Sequence, residues 1–128
     1  MKKKMFLLDV YENKSRMVEV DSLEDYYASI VCDCIEIVQR TIGGEKFTII
    51  CDEEGTFVDK PKISAIDPAG KVMFVGNLLI AGGKIIEGEL TSISPKGVDH
   101  VVKNIIIVST EEYPKPYCIL ANVDIAGL

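Results

Sequence analysis

The residues best suited to chemistry lie on two strand-like runs that flank Gly43-Gly44. Two glycines between β-branched runs favour a two-residue hairpin loop, because the turns that suit such hairpins need positive φ. With this loop, Arg40 lies opposite Phe47 across the hairpin. A guanidinium beside an aromatic ring can hold a phosphate next to a stacked base. The structural alternative is an arginine whose stem packs on the Phe47 ring.

Asn77 is a second polar candidate, placed in an otherwise apolar run directly after Gly76. A buried carboxamide costs free energy unless its donors and acceptor are paired. The partner is either the backbone beside an irregularity at Gly76 or a polar ligand, and the sequence leaves both open. We predict a pocket for a nucleotide-like anion that is built from a guanidinium, stacking rings and a carboxamide: Arg40, Phe47, Phe74 and Asn77. Structural roles for all four are the alternative.

Asp52, Glu53 and Glu54 form an acidic run at the end of the second strand, before Gly55. Carboxylates are ligands of hard cations, so a metal-dependent hydrolase of a small nucleotide is one interpretation. Three consecutive side chains cannot all point the same way from a strand, which favours a solvated turn instead. We therefore predict no metal site.

The remaining catalytic signals are sparse. The four cysteines include no C-x-x-C pair and His100 is the single histidine, so a zinc site would need distant ligands. We interpret the thiols as free and reduced. The sequence has no G-x-x-x-x-G-K-S/T loop, no G-x-G-x-x-G after a strand and no G-x-S-x-G elbow. We expect no enzyme, no catalytic residue and no cofactor.

The charge and apolar content of the chain limit the classes of partner that it can bind. A net charge of −6 argues against long DNA or RNA, which are met by basic surfaces. No stretch approaches the ~20 apolar residues of a membrane span, and "MKKKMFLLDV" is interpreted as a first strand behind a basic tag. We expect a cytoplasmic protein, in the host cytoplasm if it is phage-encoded. Because 48% of the 128 residues are hydrophobic, we also expect a homo-oligomer that covers part of this surface.

The elements that position these residues indicate a single α+β domain over residues 1–128, with a mostly antiparallel, twisted sheet and two helices. The helices are predicted at Ser22–Ile30, capped by Asp21 or Ser22, and at Pro95–Asn104, capped by Ser94, and His100 is predicted to be exposed on the second. "IIIVST" is predicted as a buried strand and "CILANVDI" as the last strand. Asp67–Gly70 is predicted as a tight turn.

Four segments between Asp21 and Gly82 resemble a family of small proteins from bacteriophages and mobile elements of Gram-positive gut bacteria: "DSLEDYY", "IEIVQRTIGGEKFTIICDEEG", "KISAID" and "VGNLLIAG". The resemblance covers about half the chain and implies no activity, since most members have none assigned. The size and layout are also similar to those of the anti-Thoeris sponges. Those proteins bind cyclic ADP-ribose variants without cleaving them, and some hold cyclic oligonucleotides at subunit junctions. This second resemblance implies a ligand class and transfers no residue.

Three functions remain as hypotheses. The first, which we predict, is a non-enzymatic phage-type anti-defence protein that sequesters a small nucleotide-like immune signal, either a cyclic ADP-ribose variant or a cyclic oligonucleotide. The second is a protein-interaction module that inhibits a host defence protein. The third is the metal-dependent hydrolase of a small nucleotide.

Overall fold

The structure is a computed structural model that describes residues 2–55 and 59–125. The helices of this part are α1 (Leu23–Ile30) and α2 (Pro95–Lys103). Its strands are β1 (Lys3–Asp9), β2 (Lys14–Val20), β3 (Ile35–Ile42), β4 (Glu45–Asp52), β5 (Ile63–Ile66), β6 (Val72–Val75), β7 (Leu78–Ala81), β8 (Ile85–Ile86), β9 (Glu89–Leu90), β10 (Ile105–Val108), β11 (Tyr117–Leu120) and β12 (Val123–Ile125). The predicted α+β class with two helices and a mostly antiparallel sheet is confirmed.

Six strands form the main sheet in the order β12-β3-β4-β7-β1-β2, and all of its pairings are antiparallel. The central strand β7 lies between β4 and β1, and each of its four residues is buried. A strand that is covered on both faces needs apolar side chains at every position, which the run Leu78–Ala81 supplies.

Four strands form a second sheet in the order β10-β11-β5-β6. The β11–β5 pair is parallel, and the other two pairs are antiparallel. The β5–β6 pairing is interrupted by register shifts on both sides of Ala65. A separate two-stranded hairpin, β8–β9, follows the main-sheet strand β7.

The main sheet separates two apolar cores. The first core joins one face of the main sheet to the second sheet and α2, through residues that include Phe47, Ile49, Leu78, Ile80, Val101, Ile119 and Leu120. The second core joins the opposite face to α1, through residues that include Leu7, Ile30, Ile50 and Leu79. Alternation along β4 and β7 sends consecutive side chains into different cores.

Serine caps begin both helices: Ser94 as predicted, and Ser22 rather than Asp21 of the two alternatives for α1. The Ser22 hydroxyl accepts a hydrogen bond from the Asp25 amide, and the Asp25 carboxylate accepts from the Ser22 amide, which completes a capping box. Ser94 accepts from the Gly97 amide at 3.0 Å and precedes Pro95 at the first helical position. Among the described residues, no helix has the length and apolar character that a membrane crossing requires.

The β3–β4 hairpin has the predicted register. Arg40 pairs with Phe47, and Ile42 pairs with Glu45 on either side of the loop. Gly43 and Gly44 have φ of 56° and 84°, which is the conformation that the two-glycine loop predicts. The tight turn at Asp67–Gly70 is also confirmed, since the Gly70 amide donates to the Asp67 carbonyl.

Two strand predictions are wrong. The "IIIVST" strand, β10, is not buried, because it forms the edge of the second sheet and leaves the Ile107 side chain 72% exposed. The run "CILANVDI" is not one strand, because Asn122 has φ of 58° and turns the chain from β11 in the second sheet to β12 in the main sheet. Apolar patterning indicates that a strand exists, but it does not report which sheet or which edge that strand occupies.

Candidate functional site

Arg40 and Phe47 are opposite each other in the hairpin, yet their side chains have different partners. The Arg40 guanidinium carbon lies 5.8 Å from the centroid of the Phe74 ring. The Phe47 ring is buried and stacks on His100, with centroids 6.0 Å apart and planes 18° apart. Of the four predicted site residues, the structure therefore brings Arg40 and Phe74 into direct contact, while Phe47 packs against α2.

One buried donor of Arg40 has no partner among the described residues. Its Nη1 donates to the Gln39 carbonyl at 2.8 Å, whereas its buried Nε finds no hydrogen-bond acceptor there. An unpaired buried donor is costly, so such atoms are rare in folded proteins. Arg40 and Phe74 thus combine a cation, a ring and an unused donor at the side where the two sheets meet.

The Asn77 amide bonds to the backbone through both its oxygen and its nitrogen. Its Oδ1 accepts from the Val10 amide at 3.0 Å, and its Nδ2 donates to the Ser29 carbonyl at 3.2 Å. Ser29 belongs to α1, on the second-core side of the main sheet, whereas Phe47 lies in the first core. The geometry agrees with the backbone-pairing interpretation of this amide, beside a Gly76 with φ of 77°, and does not group Asn77 with Arg40 and Phe47.

His100 is not exposed as predicted, because it fills the space between the hairpin loop and α2. Its Nε2 donates to the Ile42 carbonyl, its Nδ1 lies 3.4 Å from Glu45 Oε2, and its side chain is 27% exposed. A Cβ on Gly43 would lie 2.9 Å from Asn104 Nδ2 and 3.1 Å from His100 Nε2. The loop can pack this closely only because Gly43 has no side chain.

The buried edge of Phe47 borders a depression of about 390 Å³ beside the amino end of α2. Its charged lining consists of Glu45, Lys46 and Lys84, and its remaining wall consists of Phe47, Gly82, Gly83, Ile86, Thr91, Ser92, Ile93, Ser94 and Gly97. A second depression, of about 740 Å³, shares Glu45, Lys46, Gly83, Lys84 and Ile86 with the first. We call these two adjoining depressions the glycine cleft.

Gly82 and Gly83 line the glycine cleft, and a side chain fits at neither position. A Cβ on Gly82 would lie 2.5 Å from Thr91 Oγ1 and 2.7 Å from the Ser92 carbonyl oxygen. A Cβ on Gly83 would collide with the Lys46 carbonyl oxygen. The Gly83 carbonyl itself accepts from Gln39 Nε2 at 2.9 Å. The backbone that follows β7 therefore packs directly against the backbone of β4 at Lys46.

Sequence reasoning missed Lys46 and Lys84, the two cations of the glycine cleft. The available signal was the second Gly-Gly pair in the chain, which is followed directly by Lys84. Lys46 gave no signal, because its position near Lys84 depends on the pairing of β4 with β7. The amino end of α2 adds a partial positive charge to the same region.

Two of the thiols, Cys32 and Cys51, are poor nucleophiles at neutral pH. Burial raises the pKa of the Cys51 thiol to about 12 and that of Cys32 to about 11, so both are protonated at neutral pH. Cys51 Sγ donates to the Glu36 carbonyl, and Cys32 Sγ donates to the Cys34 carbonyl. All four cysteines are free, and Cys32 lies in the bend after α1.

The acidic run after β4 is a turn. The Asp52 carboxylate accepts from the Glu54 amide at 2.9 Å, and Glu53 and Glu54 are exposed. Across residues 2–55 and 59–125, no three side chains of histidine, cysteine, aspartate or glutamate are arranged to hold a metal ion. The hydrogen bond from the Glu54 amide gives the Asp52 carboxylate a structural role in this turn.

Comparison with known proteins identifies the chain by family. No curated protein and no solved structure matches it. Residues 2–112 match the family described as Domain of unknown function (DUF3846), a span that includes the hairpin, both helices and the glycine cleft. A family without an assigned activity is compatible with the resemblance drawn from the sequence. The chain therefore belongs to the DUF3846 family of domains of unknown function.

Proposed function

We propose that the protein binds a small, phosphorylated, nucleotide-like ligand in the glycine cleft and sequesters it without transforming it. The observation that carries the proposal is that Lys46 and Lys84 line the same cleft. Two ammonium groups supply positive charge for a phosphate. Phe47, a predicted site residue, lines the same cleft.

Electrostatics favours a local rather than a long-range mode of binding. A chain of net charge −6 repels anions at a distance, so a phosphate ligand must be held by donors that it contacts directly. Lys46 and Lys84 are exposed and free to reach into the cleft, while Glu45 on its rim opposes anion binding. The partial positive charge at the amino end of α2 adds to the two lysines.

Binding without turnover agrees with the side chains near the cleft. The wall offers lysines, hydroxyls and a ring, which are binding groups. Following the resemblance to the anti-Thoeris sponges, we propose a cyclic ADP-ribose variant or a cyclic oligonucleotide as the ligand. The proposed role is removal of such an immune signal from the host cytoplasm by a phage-encoded protein.

The test is a retention assay. The protein is incubated with cyclic ADP-ribose isomers, cyclic dinucleotides, AMP or inorganic phosphate, separated from free ligand, and heated to release what it holds. We expect one nucleotide class to be recovered intact, and recovery of altered products would refute sequestration. Failure of the wild type to retain any of these compounds would refute the proposed function as a whole.

Matched variants locate the site. Lys46→Ala and Lys84→Ala should each lower affinity about tenfold, since a charge-assisted hydrogen bond contributes about 1.5 kcal/mol. Lys71→Ala, which removes an exposed lysine of the 67–70 turn region, should leave affinity unchanged. Arg40→Ala tests the alternative site. If this variant loses ligand binding while Lys46→Ala and Lys84→Ala keep it, the site is the Arg40–Phe74 pair instead of the glycine cleft.

A second candidate function is the protein-interaction module. The observation in its favour is an apolar groove of about 560 Å³ between β2 and α2, with Met17, Val18, Ile93, Pro95 and Val98 in its wall and Lys4, Glu19 and Asp99 also lining it. An apolar groove with charged groups at its margin suits a protein segment. The protein-interaction function would be favoured over sequestration by two results together. The wild type would retain no nucleotide but would inhibit a host defence protein, and Met17→Asp would abolish that inhibition.

A further inference from the structure

Strand β10 is an exposed edge with no charge on it. It pairs with β11 and with no other strand in the described part of the chain. Its four residues are Ile105, Ile106, Ile107 and Val108, and the Ile107 side chain is 72% exposed. The neighbouring Val102, at the end of α2, is 51% exposed. Unpaired backbone groups and apolar side chains thus lie together on one edge.

Two other sheet edges are protected in ways that β10 is not. The outer strand β2 of the main sheet carries Lys14, Arg16 and Glu19, and charges on an edge discourage pairing with another chain. The outer strand β6 of the second sheet is paired irregularly, and Gly55 packs on Val75. By contrast, β10 pairs with β11 in four consecutive residue pairs without a bulge. A regular, uncharged edge is a template for a further strand.

We propose that β10 pairs antiparallel with β10 of a second copy of the chain, so that two four-stranded sheets become one eight-stranded sheet. Charge favours this occupant and this direction. Two chains of net charge −6 repel each other least where the contacting strand is neutral. Lys103 precedes β10, and Glu111 and Glu112 follow it, all exposed. Antiparallel pairing brings Lys103 of one copy towards Glu111 of the other, whereas parallel pairing would align like charges.

The two-fold arrangement also matches the apolar surface. An isologous interface uses the same patch on both copies, and the side chains of β10 are self-complementary because all four are aliphatic. Pairing would cover Ile106 and Ile107 together with the backbone groups of the free edge. This interface is separate from the glycine cleft, so the proposal stands or falls independently of the proposed ligand.

The first test is the mass in solution by light scattering at micromolar concentration, since the population of a dimer depends on protomer concentration. We expect twice the chain mass of 14.1 kDa for the wild type. Ile107→Lys should raise the dissociation constant at least tenfold, because it places a charge in the paired edge. The matched control Ile37→Lys, at an isoleucine that is 46% exposed on β3, should remain dimeric. A monomeric wild type, or loss of the dimer in the control alone, would overturn the proposal.

Direction and location have their own tests, which do not rely on Ile107→Lys folding. Lys103→Glu should weaken the dimer, and adding Glu111→Lys should restore it, since the two charges then exchange places. Hydrogen exchange in the wild type should slow at β10 amides as concentration rises, with no change at β8. Antiparallel pairing through β10 would be refuted by a dimer whose β10 amides show no such protection. It would also be refuted if Lys103→Glu, alone or with Glu111→Lys, left the stability of the dimer unchanged.

Discussion

The chain contains two Gly-Gly pairs that meet different physical needs. Gly43 and Gly44 both have positive φ and form the loop of the β3–β4 hairpin. Gly82 and Gly83 follow β7, and neither has a φ in the left-handed region. A Cβ at Gly82 or Gly83 would instead collide with Thr91 or Lys46. The first pair is required by backbone conformation and the second by lack of space.

The difference separates local from tertiary constraints. A loop that needs positive φ can be recognised from the glycines and the strands beside them, so the hairpin was predictable. Close approach of two backbones depends on which strands become neighbours, and the sequence does not state that β4 pairs with β7. Gly43 belongs to both classes, since it has φ of 56° and also lies under Asn104 and His100.

Gly83→Ala should have the largest effect of the glycine substitutions. The added methyl group must displace the Lys46 carbonyl, which is backbone and cannot rotate away, so we expect a loss of about 3 kcal/mol in the free energy of unfolding. Urea unfolding followed by circular dichroism measures the change. A loss no greater than that of Gly44→Ala would contradict the steric account of this pair.

Gly43→Ala should cost about 2 kcal/mol, because it combines left-handed strain with contact against a flexible side chain. A double-mutant cycle with Asn104→Ala isolates the steric part. We expect a coupling free energy of about 1 kcal/mol, since removal of the Asn104 side chain relieves the contact. Additive effects in the cycle would show that the backbone conformation alone requires glycine at this position.

Gly44→Ala should cost about 1 kcal/mol, the strain of a left-handed alanine, because no atom lies within 4 Å of the added Cβ. Gly44→Asn should cost less, since asparagine adopts this conformation more readily. The comparison is again made by urea unfolding. Equal costs for alanine and asparagine would argue against a purely conformational requirement.

Glu45→Gln should have the smallest effect on stability, below about 0.5 kcal/mol, because the carboxylate is 54% exposed and its contact with His100 is solvent-screened. Glu45 also lines the glycine cleft, where it opposes anions. We therefore expect a severalfold gain in affinity for the retained nucleotide, measured by calorimetry. Weaker ligand binding with unchanged stability would indicate that Glu45 contacts the ligand as an acceptor.

The amino-acid sequence by itself determined the features that depend on neighbours within a few residues. The Ser22–Asp25 capping box, the Ser94 cap and the register of the β3–β4 hairpin all follow from short-range hydrogen bonding and turn conformation. The α+β class follows from the same local patterns, because helical and strand periodicity are properties of single segments.

Tertiary structure alone decided which side chains meet across segments that are distant in sequence. Arg40 contacts Phe74 of the second sheet instead of stacking on Phe47, and the Asn77 amide bonds to Val10 and Ser29. The edge position of β10 and the approach of Lys46 to Lys84 have the same origin. Alternation along a strand states only that a side chain points to one face. What covers that face is determined by the packing of the sheets and helices against each other.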